Sequence, residues 1–201
     1  VRTGQPAEAR KEIDALGKDA VDKDHVTTLL LAEAAGAMGD KPLQRATLDK
    51  AVKNFASEPM VYVKRAQVMM TDPSQYREAE ADLQAAIKVR TGFWQAHRML
   101  SELYRMMGRT DDSMQQFILA VDANPRMDEM RLLAMQRLID AGREGDAVDM
   151  ADKAIRDRPS DLTLWIGLGD TFAVNGRFAR AQKYYRGPFE QTKNAAAAGK
   201  Y

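Results

Sequence analysis

The side chains from which a catalytic or metal site would be built are few in this chain and badly placed for one another. It has no cysteine, which removes disulfides, thiol nucleophiles and cysteine zinc sites together and fits either cytoplasm or periplasm. The only histidines, His25 and His97, fall two repeat units apart in the pattern described below. With helices packed about 8–10 Å from one another, they are too distant to share a metal. His97 sits at a partly buried position, where packing is its expected role. Gly108, Gly142 and Gly176 are spaced as turns, not as the Gly-rich loop that cradles phosphate. Asp111-Asp112 and the stretch from Asp157 to Asp161 lack a calcium-loop pattern. They are expected at helix starts, where carboxylates suit the dipole. No catalytic, cofactor or metal residue is expected, and the chain reads as non-catalytic.

The elements that would position any functional side chain are helices. Trp94 to Met127 has the pattern of two short amphipathic helices joined at Gly108 and closed by Pro125. The layout recurs downstream: Gly108, Gly142 and Gly176 are 34 residues apart, as are Pro125 and Pro159. A fixed period in this range is the mark of a solenoid of helix pairs. The expected fold is therefore all-α, with antiparallel pairs stacked into a right-handed superhelix. Lys plus Arg (30) against Asp plus Glu (29) leaves a charge of +1. That balance gives no electrostatic reason to expect nucleic acid or a membrane surface as partner. The most apolar run, Leu29 to Met38, contains Glu33 and is far too short for a membrane span.

In order, residues 1–24 read as the second half of a truncated repeat, with Pro6 at a helix start and Ala9, Ile13 and Leu16 on one face. Residues 25–59, 60–93, 94–127, 128–161 and 162–187 read as repeats. Their inward positions include Leu31, Ala32 and Ala35; Leu48, Ala51 and Val52; Ala66 and Met70; Ala79, Leu83, Ala86 and Ile87; Leu100, Ser101 and Tyr104; and Ser113, Phe117, Ala120 and Val121. In the later units the equivalents are Ala134, Met135, Leu138, Ala147, Ala151, Ala154 and Ile155, then Trp165, Leu168, Gly169, Phe172, Phe178, Ala181 and Tyr185. Gly187-Pro188 should stop the last second helix, because proline inside a helix costs about 3 kcal/mol. Residues 188–201 are then a capping helix anchored by Phe189, or a tail. Val1–Arg10 has no apolar signal-peptide core, and a chain beginning with Val inside a repeat is expected to be a piece or processed product of something longer.

Trp165-x2-Leu168-Gly169-x2-Phe172, with Asn175-Gly176, Phe178, Ala181 and Tyr185, resembles the tetratricopeptide repeat. So does the frame from Leu100-Ser101 through Tyr104, Gly108, Ser113, Phe117 and Ala120 to Pro125. The resemblance spans the chain and weakens toward the N-terminus. Departures are Thr91 for Pro, Gln44 for Ala and Pro188 for Ala. A 35-residue RNA-reading helical repeat is the alternative, but it would require basic helices.

The resemblance implies a concave groove, lined by the first helix of each pair, that takes a peptide or helix of a partner protein. Position by position it implies Val26, Leu29 and Glu33; Val61, Lys64 and Val68; Gln95, Arg98, Glu102 and Arg105; Glu129, Leu132, Gln136 and Ile139; and Thr163, Ile166 and Asp170. Val68 stands where the family's carboxylate clamp needs Asn, so that clamp is expected to be absent. Lys64, Arg98 and Arg105 would form a central basic spot that holds an acidic or mixed acidic–apolar segment; the competing reading pairs them with Glu102 and Glu129. The central methionines (Met69, Met70, Met99, Met106, Met107, Met127, Met130 and Met135) read first as adaptable core filler, with an exposed, accommodating surface for an amphipathic helix or for self-association as the alternative. The implied function is a protein-interaction scaffold. The alternatives are a targeting or assembly segment of a larger protein, such as a secretion or polysaccharide-export platform or an enzyme's arm, or self-association through the open N-terminal end.

Overall fold

The computed structural model describes residues 23–197. Among them are ten α-helices and one 3-10 turn: α1 (His25–Ala37), α2 (Lys41–Asn54), α3 (Pro59–Met69), the turn Pro73–Gln75, α4 (Tyr76–Val89), α5 (Trp94–Met106), α6 (Thr110–Ala123), α7 (Asp128–Asp140), α8 (Glu144–Asp157), α9 (Leu162–Val174) and α10 (Phe178–Ala197). The fold class is the expected one, an all-α stack of helix pairs. The half-unit expected at Val1–Val21, and with it the open N-terminal end, lies outside the described residues. No helix among the described residues is long and apolar enough to cross a membrane.

Local sequence explains where the helices start and stop. Asp24, Asp40 and Asp161 each accept a hydrogen bond from the backbone N–H three residues on, at 2.8, 3.0 and 3.0 Å, which satisfies a donor the helix leaves open. Four first helices end at Gly39, Gly108, Gly142 and Gly176, with φ between 70° and 76°. Only glycine adopts this conformation without penalty. It lets the next residue bond back to the helix: Arg109 N–H reaches the Tyr104 carbonyl at 2.8 Å, and Arg143 and Arg177 repeat the bond to Leu138 and Phe172. The second pair has no such glycine. Pro73 forces the break instead, and Asp72 caps the 3-10 turn through Ser74 N–H at 3.0 Å.

The chain divides into two compact units, residues 1–116 and 117–201, with the division inside α6. In the first, α1, α3 and α5 neighbour one another in turn, and each of α1 and α3 packs against its own second helix. Leu29, Ala32, Leu48, Ala51 and Val61 form one apolar cluster. Val63, Ala66, Met69, Leu83, Ala86, Phe93, Ala96, Leu100 and Tyr104 belong to the next. Polar ties act within and between the pairs. Arg65 on α3 forks onto Asp82 of its own pair through two bonds of 2.7 Å and also reaches Asp49 of the preceding pair. The Tyr104 hydroxyl donates to Glu80 at 2.8 Å, with Arg109 over its ring.

In the second unit Ala134, Met135, Leu138, Ala147, Ala151, Ala154, Leu164, Leu168 and Phe172 are buried. Phe172 stacks on Tyr184 at 5.3 Å between ring centroids, and the Tyr184 hydroxyl donates to Asp152 at 2.9 Å. Burial pushes the Tyr184 phenol well above its ordinary range, helped by that carboxylate. Arg131 is buried, donating to Asp128 and to the Pro125 carbonyl at 2.6 Å each.

Three expectations are corrected. The helix does not stop at Gly187-Pro188: α10 runs from Phe178 to Ala197 with the proline inside it, so there is no separate capping helix among the described residues. One residue before the proline, Gly187 lies so close to the Trp165 ring that a side-chain carbon there would fall inside van der Waals contact, so α10 is packed on α9 up to that point. Tyr185, assigned inward, is exposed, and Tyr184 is the fully buried tyrosine. Asp157 ends α8 and does not begin a helix, whereas Asp111, Asp112 and Asp161 do stand at helix starts.

Two substitutions test this packing. Leu138→Ala should lower the unfolding free energy by about 2–5 kcal/mol, as expected for a fully buried leucine, read from urea unfolding followed by circular dichroism. Gly187→Ala should also destabilise, although alanine ordinarily adds about 1 kcal/mol over glycine inside a helix; a stabilised variant would mean that the Trp165 contact is not close.

Candidate functional site

The first helices of residues 23–116 present two clefts. One, of about 680 Å³, lies between α1, α2 and α3 and is lined by Glu33, Gly36, Gln44, Lys64, Val68 and Gln75, among others. Its shape traces to one residue type. Where later second helices carry Ala79, Ser113, Ala147 and Ala181, α2 carries Gln44. The longer side chain fits only because residue 36 is glycine, whose missing side chain leaves the space that the Gln44 amide occupies. Lys64 forms an ion pair with Glu33 across this cleft, and Arg45 donates to the Gln75 amide oxygen on its far side.

The second cleft, of about 420 Å³, is lined by α1, the start of α3 and the start of α5, with Val26, Leu30, Met60, Arg90, Phe93 and Gln95 on its wall. Val26 and Leu30 are exposed. Arg90 lies over the Phe93 ring at 5.4 Å, and His25 stands 3.9 Å from Glu58. Gln95 Oε1 is buried without a hydrogen-bond partner, which is rare in folded proteins and marks a place where a donor is missing.

Gln95, Arg98, Glu102 and Arg105 share one face of α5, as their spacing of three and four requires. Arg105 is already held by Glu102, Nε to Oε2 at 3.0 Å and Nη2 to Oε1 at 2.5 Å. The expected basic spot is therefore smaller than the sequence suggests. Lys64 is neutralised by Glu33 and Arg105 by Glu102, while Arg98 is exposed and takes part in no ion pair among the described residues. Glu129 is not the partner of any of these cations among the described residues. His97 is buried, between the Thr91 carbonyl at 3.0 Å and the Gln116 amide at 2.8 Å.

In the second unit the expected positions scatter between surface and interior. Glu129, Thr163 and Ile166 are exposed, while Leu132 is half-buried against Gly167. The Gln136 amide exchanges two bonds of 2.6 Å with Asn175, and Asp170 accepts from the Tyr185 hydroxyl at 2.6 Å. Val61 and Ile139 are corrected from groove to core, each being buried, whereas Leu29, although largely buried, lines both clefts. Sequence reasoning passed over Gly36, Arg90 and Phe93. The signal for the first was present, since a glycine in the last turn of α1 faces the one second helix with Gln for Ala.

The arrangement offers donors, acceptors and apolar walls. Among the described residues, no group of three or more His, Cys, Asp or Glu could hold a metal ion.

Comparison with curated protein sequences gave no match. Among solved structures, the chain is similar to YrrB, described as a TPR protein with an unusual peptide-binding site, at 16% identity and TM-score 0.52 over 98% of this chain and 100% of that one. It is similar to MamA from Desulfovibrio magneticus RS-1 at 19% identity and TM-score 0.55, over 80% of this chain and 90% of that one. A thermophilic TPR protein of Thermus thermophilus aligns at 17% identity and TM-score 0.51, over 84% of this chain and 98% of that one. At these identities the likeness speaks for the fold. The family profile described as tetratricopeptide repeat matches residues 74–128 and 132–188, more than half of the sequence and both compact units. With the glycine turns, the small residues between paired helices and that match in hand, the chain belongs to the tetratricopeptide-repeat family.

Proposed function

We propose that the chain is a non-catalytic scaffold whose first-helix faces bind a peptide or helix of a partner protein, and that α5 supplies the recognition. The observation that carries this is the state of the α5 face: Arg98 is an exposed cation without an ion-pair partner among the described residues. A segment with an acidic side chain answers it, and the exposed Val26 and Leu30, on the cleft that Gln95 also lines, give its apolar residues a wall. This keeps the mixed acidic–apolar partner but moves the charge recognition from three cations to Arg98. Lys64 and Arg105 are already largely neutralised by Glu33 and Glu102, so an incoming carboxylate gains less from them than from Arg98. YrrB, of the same fold, has a peptide-binding site, which supports this use of the surface. On this reading Lys64, Val68, Glu102 and Arg105 shape the surface around Arg98, while Glu129, Leu132, Gln136, Ile166 and Asp170 belong to the second unit.

The test is a peptide array graded in acidic and apolar content, probed with wild type, Arg98→Glu and Arg105→Glu. A charge-assisted contact contributes about 1.5–3 kcal/mol, so Arg98→Glu should weaken the best acidic–apolar peptides by about ten- to a hundredfold with helicity unchanged. Arg105→Glu should do less. Equal binding by wild type and Arg98→Glu would remove α5 from the account.

A further inference from the structure

A second surface lies toward the other end of the described chain, within the unit of residues 117–201. Phe178, Ala181, Tyr185, Arg186 and Phe189 on α10, with Ala173 on α9, enclose an apolar hollow of about 330 Å³. Phe178 is 72% exposed and Phe189 68%, and Val174 beside them is 78% exposed. That is a large aromatic surface to leave in water when single exposed apolar residues are the norm.

The repeat register says what shape belongs there. Tyr185 occupies the position of Leu48, Leu83, Phe117 and Ala151, all of which are at most 5% exposed. Phe189 occupies that of Ile87 and Val121. In the first unit Leu83 and Ile87 are covered by Phe93, Ala96 and Leu100 at the start of the following first helix. On α10 these positions are uncovered by any element among the described residues, so the hollow has the form of a seat for one more helix.

Charge says which helix. Along α10 the basic residues are Arg180, Lys183, Arg186 and Lys193, with Arg177 just before it, against one acid, Glu190. Arg177 and Arg180 pair with Glu144, and Lys183 pairs with Asp152. Arg186, on the wall of the hollow, and Lys193 are exposed and take part in no ion pair among the described residues. The rim is positive and the floor is aromatic. We propose that this face of α10 is a docking seat for an acidic amphipathic helix of a partner protein, its apolar face on Phe178, Tyr185 and Phe189 and its acidic flank on Arg186. The seat draws on none of the α5 residues and does not depend on them.

The test uses the full chain and three synthetic helices that share one leucine-rich apolar face and differ in flank: acidic, lysine-bearing, or acidic with the apolar face scrambled. Binding is read by fluorescence anisotropy of the labelled peptide. Only the acidic helix with the intact face should bind wild type. Phe189→Asp, at an exposed position that should leave the fold intact, should weaken it by about tenfold or more, as for an aromatic anchor. Arg186→Glu should reverse the preference toward the lysine-bearing helix, and Arg98→Glu should leave binding unchanged. Loss in Arg98→Glu but not in Phe189→Asp would assign the peptide to the α5 surface and overturn the seat. Equal binding of acidic and lysine-bearing helices would also overturn it. Concentration-dependent dimerisation of wild type in sedimentation, lost in Phe189→Asp and without peptide binding, would replace the partner helix by a second copy.

Discussion

A helix pair of this kind carries apolar side chains on two sides and buries only one of them within itself. Everything else in the structure follows from what covers the other. Between paired helices the inner face closes because small residues let the backbones approach. Ser101 on α5 meets Ser113 on α6 at 3.2 Å between hydroxyls, and Gly169 on α9 leaves room for the edge of the Tyr185 ring on α10. The outer face of a second helix needs the next first helix to cover it: Leu83 and Ala86 on α4 are covered by Phe93, Ala96 and Leu100. Stability is thus shared between neighbours.

Polar contacts repeat on the same interval and have a different role. Glu33–Lys64, Asp122–Lys153 and Asp152–Lys183 each join residues 31 apart, and Glu144–Arg177 joins residues 33 apart. These spacings are one repeat less a few residues, so each pair bridges adjacent repeats. Exposed pairs of this sort contribute about 0–1 kcal/mol each; what they add is register, since a slip of one turn would misalign all of them. The buried or half-buried ties are stronger candidates for specificity. Arg65 on Asp82 is bidentate, and the buried Arg131 is held by Asp128 and a backbone carbonyl.

The same ladder limits where recognition can occur. A cation that serves as a tie is occupied. Lys64 and Arg105 are occupied in this sense, and Gln136 and Asp170 have internal partners of their own. What remains for a partner is what the stacking leaves over: Arg98 on α5, and the aromatic face of α10. Both are places where the repeat pattern supplies a position but no described neighbour fills it.

The 34-residue interval, the glycine turns and the alternation of small and large residues are legible from the sequence, because each depends on chain-local geometry: a left-handed φ at Gly108, a cap at Asp161, an apolar stripe at helical spacing. These determined the helix pairs, the all-α class and the family. Whether a lysine at a groove position is free depends on what stands opposite it from another repeat, and no local rule gives that, so the neutralisation of Lys64 by Glu33 was decided only in three dimensions. The same holds for the orphaned Gln95 oxygen and for Gln44 filling the space at Gly36. Pro188 is the sharpest case. Local propensity ends the helix there, yet α10 runs through the proline to Ala197, with Gly187 packed on the Trp165 ring one residue before it.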